Sequence, residues 1–225
     1  RWRVEHVEPV LFQDLHLHQA LAEVLHRLRT DPSHPWHQTY TLAPPLLRPN
    51  TLYYWACHWL APGLGVAGAS RALIALALAS LPLTLLALFT TLGKSRWLVF
   101  VTLPFVYNAH VALGFVSFLL GTPLLFGGLA LTVALLDHPR PRLALALTCT
   151  TLLAFFAHAQ IFLLLLGLQA LLALILPTTR RARGALALTG LPAVAALLPW
   201  YWRVFVQEAP TAAGVRFFGL DRGFG

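Results

Sequence analysis

Asp14 and His18 are the two residues of this chain whose types and spacing best suit proton transfer. They stand four apart within residues 11–29, where leucines recur at the spacing of an amphipathic surface helix. At 100° per residue, both fall on the apolar side of that helix. A carboxylate on that side faces water only if the helix lies at a cavity. Otherwise it is desolvated and its pKa rises, which suits a general base. Asp14 is also a typical N-cap residue, and that role is compatible with catalysis.

The same stretch admits a metal-binding interpretation. On a β-strand, Asp14, His16 and His18 would share one face, and two histidines separated by one residue are a known ligand spacing. On a helix, His16 points away from the other two. Because the helical pattern is the better one, we predict no metal ligands, although a requirement for a divalent cation stays open.

The composition indicates the kind of element that positions these residues. Of 225 residues, 58% are hydrophobic and 11% are charged, whereas a soluble domain carries about 25% charged residues. This excludes a soluble domain and a disordered chain and predicts a polytopic membrane protein. The formal net charge is +8, but the positive residues cluster in short loops between apolar runs, so we predict no nucleic-acid binding. The chain has no Met and begins with Arg1, so we expect it to be part of a longer protein.

Six apolar runs are candidate membrane spans. They cover residues 72–92, 97–113, 115–136, 143–157, 159–176 and 185–206. Three short loops between them carry the positive charge, namely 93–96, 137–142 and 178–184. Two spans separate each neighbouring pair of loops, so all three loops lie on one side, and the positive-inside rule makes that side cytoplasmic.

We therefore predict an all-α fold, a polytopic transmembrane bundle with an extracytoplasmic loop that bears an amphipathic surface helix. Residues 1–70 form this outer loop with its surface helices. Residues 71–206 form about six transmembrane helices, and residues 207–225 begin a further outer loop.

Polar residues interrupt the apolar runs at the predicted outer end. Asn108, His110 and His158 are either wetted turn residues or part of a polar cavity that faces the histidine-rich outer loop. Two arginines, Arg48 and Arg71, flank the aromatic segment 53–59 on the predicted outer side, where they either clamp a lipid phosphate or lie on the surface without such a role.

The tyrosines of an aromatic cluster, Tyr53 and Tyr54, precede Trp55 and Trp59. Aromatic side chains of this kind are typical of an anchor at the level of the lipid head groups.

The order of these features resembles the GT-C membrane glycosyltransferases, especially the bacterial lipid-A aminoarabinose transferases and protein O-mannosyltransferases. The features are listed in chain order as Asp14 on a surface helix, Trp36 in the following loop, Pro44-Pro45, Tyr53-Tyr54-Trp55, Gly65 and Ser70-Arg71-Ala72-Leu73. The pattern departs from the family where Leu15 follows Asp14 in place of a second acidic residue. It departs again where Leu42-Ala43 precede the proline pair in place of a basic residue.

This resemblance implies inverting transfer of a hexosyl or pentosyl group from a polyprenyl-phosphate donor to a lipid or protein acceptor, on the outer face of a bacterial inner membrane. Asp14 would be the catalytic base. The candidate substrate-binding residues are His18, Arg48, Tyr53, Tyr54, Arg71, Asn108, His110 and His158. Of these, Arg48, Arg71, His18 and His158 would stabilise the leaving phosphate.

Three other functions remain as alternatives. A transporter would carry ionisable residues deep within several spans, and here the spans are nearly free of Asp, Glu and Lys. A metal-handling membrane protein would use Asp14, His16 and His18. A non-catalytic assembly subunit would keep the architecture and lack activity.

Overall fold

A computed structural model of the chain describes residues 14–42, 48–106, 109–202, 216–217 and 220–222. The protein is built from helices. They are α1 (Leu15–Thr30), α2 (Leu52–Thr91), α3 (Val99–Thr102), α4 (Ala109–Leu113), α5 (Val116–Asp137), α6 (Pro141–Ala157), α7 (Ala159–Ile175) and α8 (Arg180–Trp202). Short 3-10 turns lie at Pro35–Gln38, Arg96–Leu98 and Leu103–Phe105.

Three of these helices, α2, α5 and α8, are long and apolar enough to cross a bilayer. Helices α6 and α7 are equally apolar but have 17 residues each. The three long helices indicate a membrane protein, and the bounds of α5 to α8 agree with four of the predicted apolar runs to within five residues.

Helix α2 begins 20 residues before the predicted span at residue 72, and a sharp bend divides it. The bend is at Gly65, where φ is 66° and ψ is 162°. This backbone conformation is open almost only to glycine, because it has no Cβ. The aromatic cluster of Tyr53 and Tyr54 therefore lies on a separate helical arm that precedes the apolar part of α2. We refer to this arm, residues 52–64, as the tyrosine arm.

Helices α6 and α7 form an antiparallel hairpin around the single extended residue His158. Its two helices pack on α5, where Gly128 allows a close approach. A Cβ atom at Gly128 would lie 2.9 Å from Cδ1 of Leu165, whose side chain is fully buried. Small residues at such crossings allow two apolar helices to pack closely.

Residues 97–113 were predicted to form one span, and this prediction is wrong as a continuous helix. In its described residues, 97–106 and 109–113, the segment consists of 3-10 turns and the short helices α3 and α4. Pro104 explains part of the break, because it lacks an N–H group and its ring clashes with the preceding turn. The segment still runs between the two ends of the bundle. Gly93, just before it, lines a cavity at one end, and the Leu113 carbonyl at the other end accepts a hydrogen bond from the Asp14 N–H.

The three basic loops converge at one end of the bundle. A cavity there is lined by Gly93 from the first loop, by Arg140 from the second, and by Pro177 beside the third. The Thr178 hydroxyl also donates to the Leu136 carbonyl at 2.8 Å, which joins the third loop to the end of α5. Helix α1 lies at the opposite end. We refer to these as the basic end and the histidine end.

A small antiparallel sheet was not predicted. Its strands are β1 (Tyr40–Leu42), β2 (Arg216–Phe217) and β3 (Leu220–Arg222), in the order β1-β3-β2. Strand β1 packs on Val24 and Leu28 of α1 through its Tyr40 and Leu42 side chains. The pairing of β1 with β3 therefore places residues 220–222 beside the connection between α1 and α2.

Candidate functional site

Asp14 lies at the start of α1, at the N-cap position, and is half-buried. Its side chain makes no capping hydrogen bond. Its backbone holds the helix in place instead, because the Asp14 N–H donates to the Leu113 carbonyl at 2.9 Å. Residues 11–13, which the predicted helix included, lie outside the described residues. The carboxylate of Asp14 therefore does not act as the helix cap.

His18 lies one turn further along α1 and faces α2. Its Nδ1 atom is 2.6 Å from the hydroxyl oxygen of Tyr54. Burial lowers the pKa of His18, and the nearby negative charge of Asp14 partly offsets this effect. A neutral imidazole can accept a hydrogen bond from the Tyr54 hydroxyl at Nδ1 and donate one from Nε2.

Ser70 joins the same two helices by a second set of hydrogen bonds. The Tyr53 hydroxyl donates to Oγ of Ser70 at 2.8 Å, and Nε2 of Gln19 donates to the same oxygen at 3.1 Å. Tyr53 and Ser70 are fully buried. Sequence reasoning identified the two tyrosines but gave Ser70 no role, because a serine in an apolar helix commonly bonds only to its own backbone.

Asn50 connects this arm to the α6–α7 hairpin. It adopts a positive φ of 61°, and its Oδ1 atom accepts a hydrogen bond from the Ala159 N–H at 3.0 Å. The Thr51 N–H donates to the Phe156 carbonyl at 2.8 Å. These bonds bring the start of α2 beside His158, whose ring contacts Phe118 edge-on with centroids 5.4 Å apart.

Arg48 belongs to this connection as well. It is half-buried, two residues before Asn50, and its carbonyl accepts a hydrogen bond from the Thr51 hydroxyl at 2.9 Å. The structure therefore brings Arg48 and His158 to the same junction at the histidine end.

Arg71 is not drawn into the cluster. It follows Ser70 on α2, and its side chain is exposed while that of Ser70 is buried. Successive helical residues point about 100° apart, which explains the difference. Asn108 lies outside the described residues, and so does the side chain of His110, whose backbone belongs to α4.

A third contact between α1 and α2 was not predicted either. The Nδ1 atoms of His26 and His58 lie 3.1 Å apart. Next to them, the guanidinium of Arg29 lies 5.0 Å from the ring centroid of Trp55, which is cation–π geometry. The sequence signal for this contact was the eight-residue spacing of His18 and His26, because residues eight apart lie on the same side of a helix.

Within the ranges that the structure describes, no group of three or more His, Cys, Asp or Glu side chains could hold a metal ion. Because α1 is a helix, Asp14, His16 and His18 do not share a face as they would on a strand, and His16 is exposed.

An apolar groove of about 650 Å³ begins beside the tyrosine arm. Its walls come from α2, α5 and α6, and it runs from Leu52 and Ala56 to Thr91 near the basic end. With a helical rise of about 1.5 Å per residue, the wall between Leu73 and Thr91 is about 27 Å long, close to the thickness of the hydrocarbon core. None of the predicted site residues lines the groove, but Leu52 is adjacent to Tyr53.

No protein-family model, no curated protein and no solved structure gives a significant match to this chain.

Proposed function

We propose that this chain is part of a GT-C type membrane glycosyltransferase. The observation that carries the proposal is the contact between α1 and the tyrosine arm of α2. It holds the Asp14–His18 pair at the end of the bundle opposite the basic loops, against the arm of α2 from which Leu52 and Ala56 line the start of an apolar groove of bilayer length. A lipid-linked sugar donor needs such an arrangement, with a polar site at the membrane surface and an apolar path for its tail.

The reaction is a single displacement. Asp14 accepts the proton of the acceptor hydroxyl while the acceptor oxygen forms a bond to the anomeric carbon of the sugar. The bond between this carbon and the phosphate oxygen breaks, and its electron pair leaves with polyprenyl phosphate. Attack from the face opposite the leaving group inverts the anomeric configuration.

The leaving phosphate gains negative charge as the bond breaks, and a nearby cation stabilises that charge. Arg48 is better placed than Arg71 for this role, because Arg48 lies at the junction of α2 with the α6–α7 hairpin and Arg71 points away from Ser70. His158 at the same junction supplies a second polar group. His18 holds the Tyr54 hydroxyl and keeps α1 against α2.

The apolar groove would hold the polyprenyl tail. Its lining is almost entirely aliphatic, with Ser80, Thr84, Thr91 and Thr150 as the polar exceptions. The hydroxyls of these residues are already hydrogen-bonded to carbonyls of their own helices, so they present no unsatisfied donor to the tail. The positive-inside rule then makes the histidine end extracytoplasmic, and in a bacterium the membrane is the inner one.

The test uses the purified protein in proteoliposomes with polyprenyl-phosphate donors that carry a radiolabelled hexose or pentose. Membrane lipid extract and membrane protein serve as acceptors. We expect transfer of the label with release of polyprenyl phosphate. If no donor of the panel reacts and polyprenyl phosphate itself shows no saturable binding, the proposal is wrong.

A substitution in the groove sharpens this test. Gly127 lines the groove, and Gly127→Phe would fill part of it. We expect the KM for the donor to rise by about tenfold. Gly167→Phe is the matched control, because Gly167 does not line the groove and a Cβ atom there meets nothing within 4 Å. Equal effects of the two substitutions would place the tail elsewhere.

A further inference from the structure

The basic end of the bundle holds a cavity of about 660 Å³, where α2, α5, α6 and α7 meet. Its lining is polar on one side and aliphatic on the other. The polar side comprises Asp137, His138 and Arg140, and the aliphatic side includes Val133, Leu136 and Leu176. Asp137, His138 and Arg140 are exposed, so the polar side lies at the surface. A ligand that fits this lining has a charged group and an apolar chain.

The surface around this cavity is strongly positive. Seven exposed cationic side chains lie on the loops and helix ends that form it: Lys94, Arg96, Arg140, Arg142, Arg180, Arg181 and Arg183. In the described part of the chain, none of them forms an ion pair. Asp137 is the single acidic residue of these loops, and its carboxylate lies 3.2 Å from Nε2 of His138. The field at the cavity mouth therefore favours an anion.

Aromatic side chains place this surface at the level of the lipid head groups. Trp97 and Phe100 follow the first basic loop, with 68% and 56% of their surfaces exposed. Their rings are stacked, with centroids 5.6 Å apart. Exposed aromatic rings beside Lys94 and Arg96 are typical of a segment that lies in the membrane interface. This position favours an anion that is part of the bilayer over one in solution.

We propose that this cavity binds one molecule of an anionic phospholipid. Its phosphate lies at Arg140, where the guanidinium donates to the phosphate oxygens, and one acyl chain lies against Val133, Leu136 and Leu176. Asp137 opposes the phosphate and weakens binding. The site is distinct from the histidine end, and the inference does not depend on the proposed enzymatic activity.

The experiment is native mass spectrometry of the detergent-purified protein after incubation with phosphatidylglycerol or phosphatidylcholine. We expect one phosphatidylglycerol molecule to be retained at lipid concentrations at which phosphatidylcholine is lost. Arg140→Gln should lower the affinity for phosphatidylglycerol by about tenfold or more, because a guanidinium that donates two hydrogen bonds to phosphate is removed. Arg140 is exposed and makes no side-chain capping bond, so the variant should fold normally.

Two further variants distinguish a defined lipid site from general attraction of anionic lipids to a basic surface. Arg183→Gln removes the same charge from the same end, but Arg183 does not line the cavity, so we expect a loss of about threefold or less. Asp137→Asn removes the opposing charge, and we expect tighter binding.

Three results would overturn the inference. The first is equal retention of phosphatidylcholine by the wild-type protein. The second is an equal loss in Arg140→Gln and Arg183→Gln, which would mean diffuse attraction of the whole basic surface. The third is displacement of the lipid by millimolar inorganic phosphate, which would mean a site for the free anion.

Discussion

The Nδ1 atom of His18 and the hydroxyl oxygen of Tyr54 lie 2.6 Å apart, and this contact joins the surface helix α1 to α2. The two residues are 36 positions apart in the sequence. Tyr54 is buried, so its hydroxyl depends on a protein acceptor in place of water. The position of Asp14, one turn before His18 on α1, follows from this contact.

The first prediction concerns the pH dependence of this contact. Burial lowers the pKa of His18 in the folded protein below the value of 6.5 expected when unfolded. The stabilising contribution of the neutral imidazole is therefore complete above pH 6.5 and is lost as the pH falls through the lower pKa of the folded state. We expect the melting temperature in detergent to fall between pH 7.5 and pH 5.

His18→Gln should reduce this pH dependence and lower stability at pH 7.5 by about 1 kcal/mol, or about 3 °C in melting temperature. His16→Gln is the control, because His16 is exposed on the same helix. The account is wrong if His16→Gln and His18→Gln change the pH profile equally.

The second prediction concerns the bend in α2. Gly65→Ala places a Cβ atom on a backbone with φ of 66° and ψ of 162°, which costs about 1–3 kcal/mol. Gly63→Ala, two residues earlier, lies in helical backbone where a Cβ atom meets nothing within 4 Å, and we expect it to be neutral or stabilising. Thermal unfolding of both variants checks this, and an equal stability of the two would contradict the bend.

The third prediction separates the two roles of Asn50. Asn50→Gly keeps access to the positive φ of 61° but removes the hydrogen bond to the Ala159 N–H, so we expect a loss of about 1 kcal/mol. Asn50→Ala removes the bond and also strains the backbone, which adds about 1 kcal/mol or more. Equal melting temperatures of wild type and Asn50→Gly would mean that the hairpin is held by other contacts.

Much of the helical architecture could be predicted from the sequence, because it follows from local patterns. The amphipathic spacing of 11–29 predicted a surface helix, which is observed at Leu15–Thr30. Apolar runs with charged ends predicted α5 to α8 closely. These features follow from the pattern of neighbouring residues along the chain, so they can be predicted from a single sequence.

The remaining features depend on contacts between distant segments. The role of Ser70 arises only when Gln19 and Tyr53 converge on it across 51 and 17 positions. Strand β1 exists because residues 220–222 lie beside it. The break within 97–113 was missed because hydropathy measures whether a segment enters a membrane and not whether it stays helical.

The fourth prediction concerns the orientation of the bundle. In a background with Cys57 and Cys149 replaced by Ala, His34→Cys should react with an impermeant thiol reagent in intact cells. Ser95→Cys, in the first basic loop, should react only after the membrane is opened. Both positions lie in the loops that the topology assigns to opposite sides. The reverse pattern of labelling would place the histidine end in the cytoplasm.

The most direct measurement is the rate of sugar transfer by Asp14→Asn in proteoliposomes. The substitution keeps the size of the side chain and removes the proton acceptor, so we expect the rate to fall by about two orders of magnitude or more, with normal membrane insertion. Asp31→Asn is the matched control, because the Asp31 carboxylate, just after α1, already binds Ser33, and this variant should keep the wild-type rate. An unchanged rate in Asp14→Asn would contradict the account, because no other residue is assigned to accept the proton.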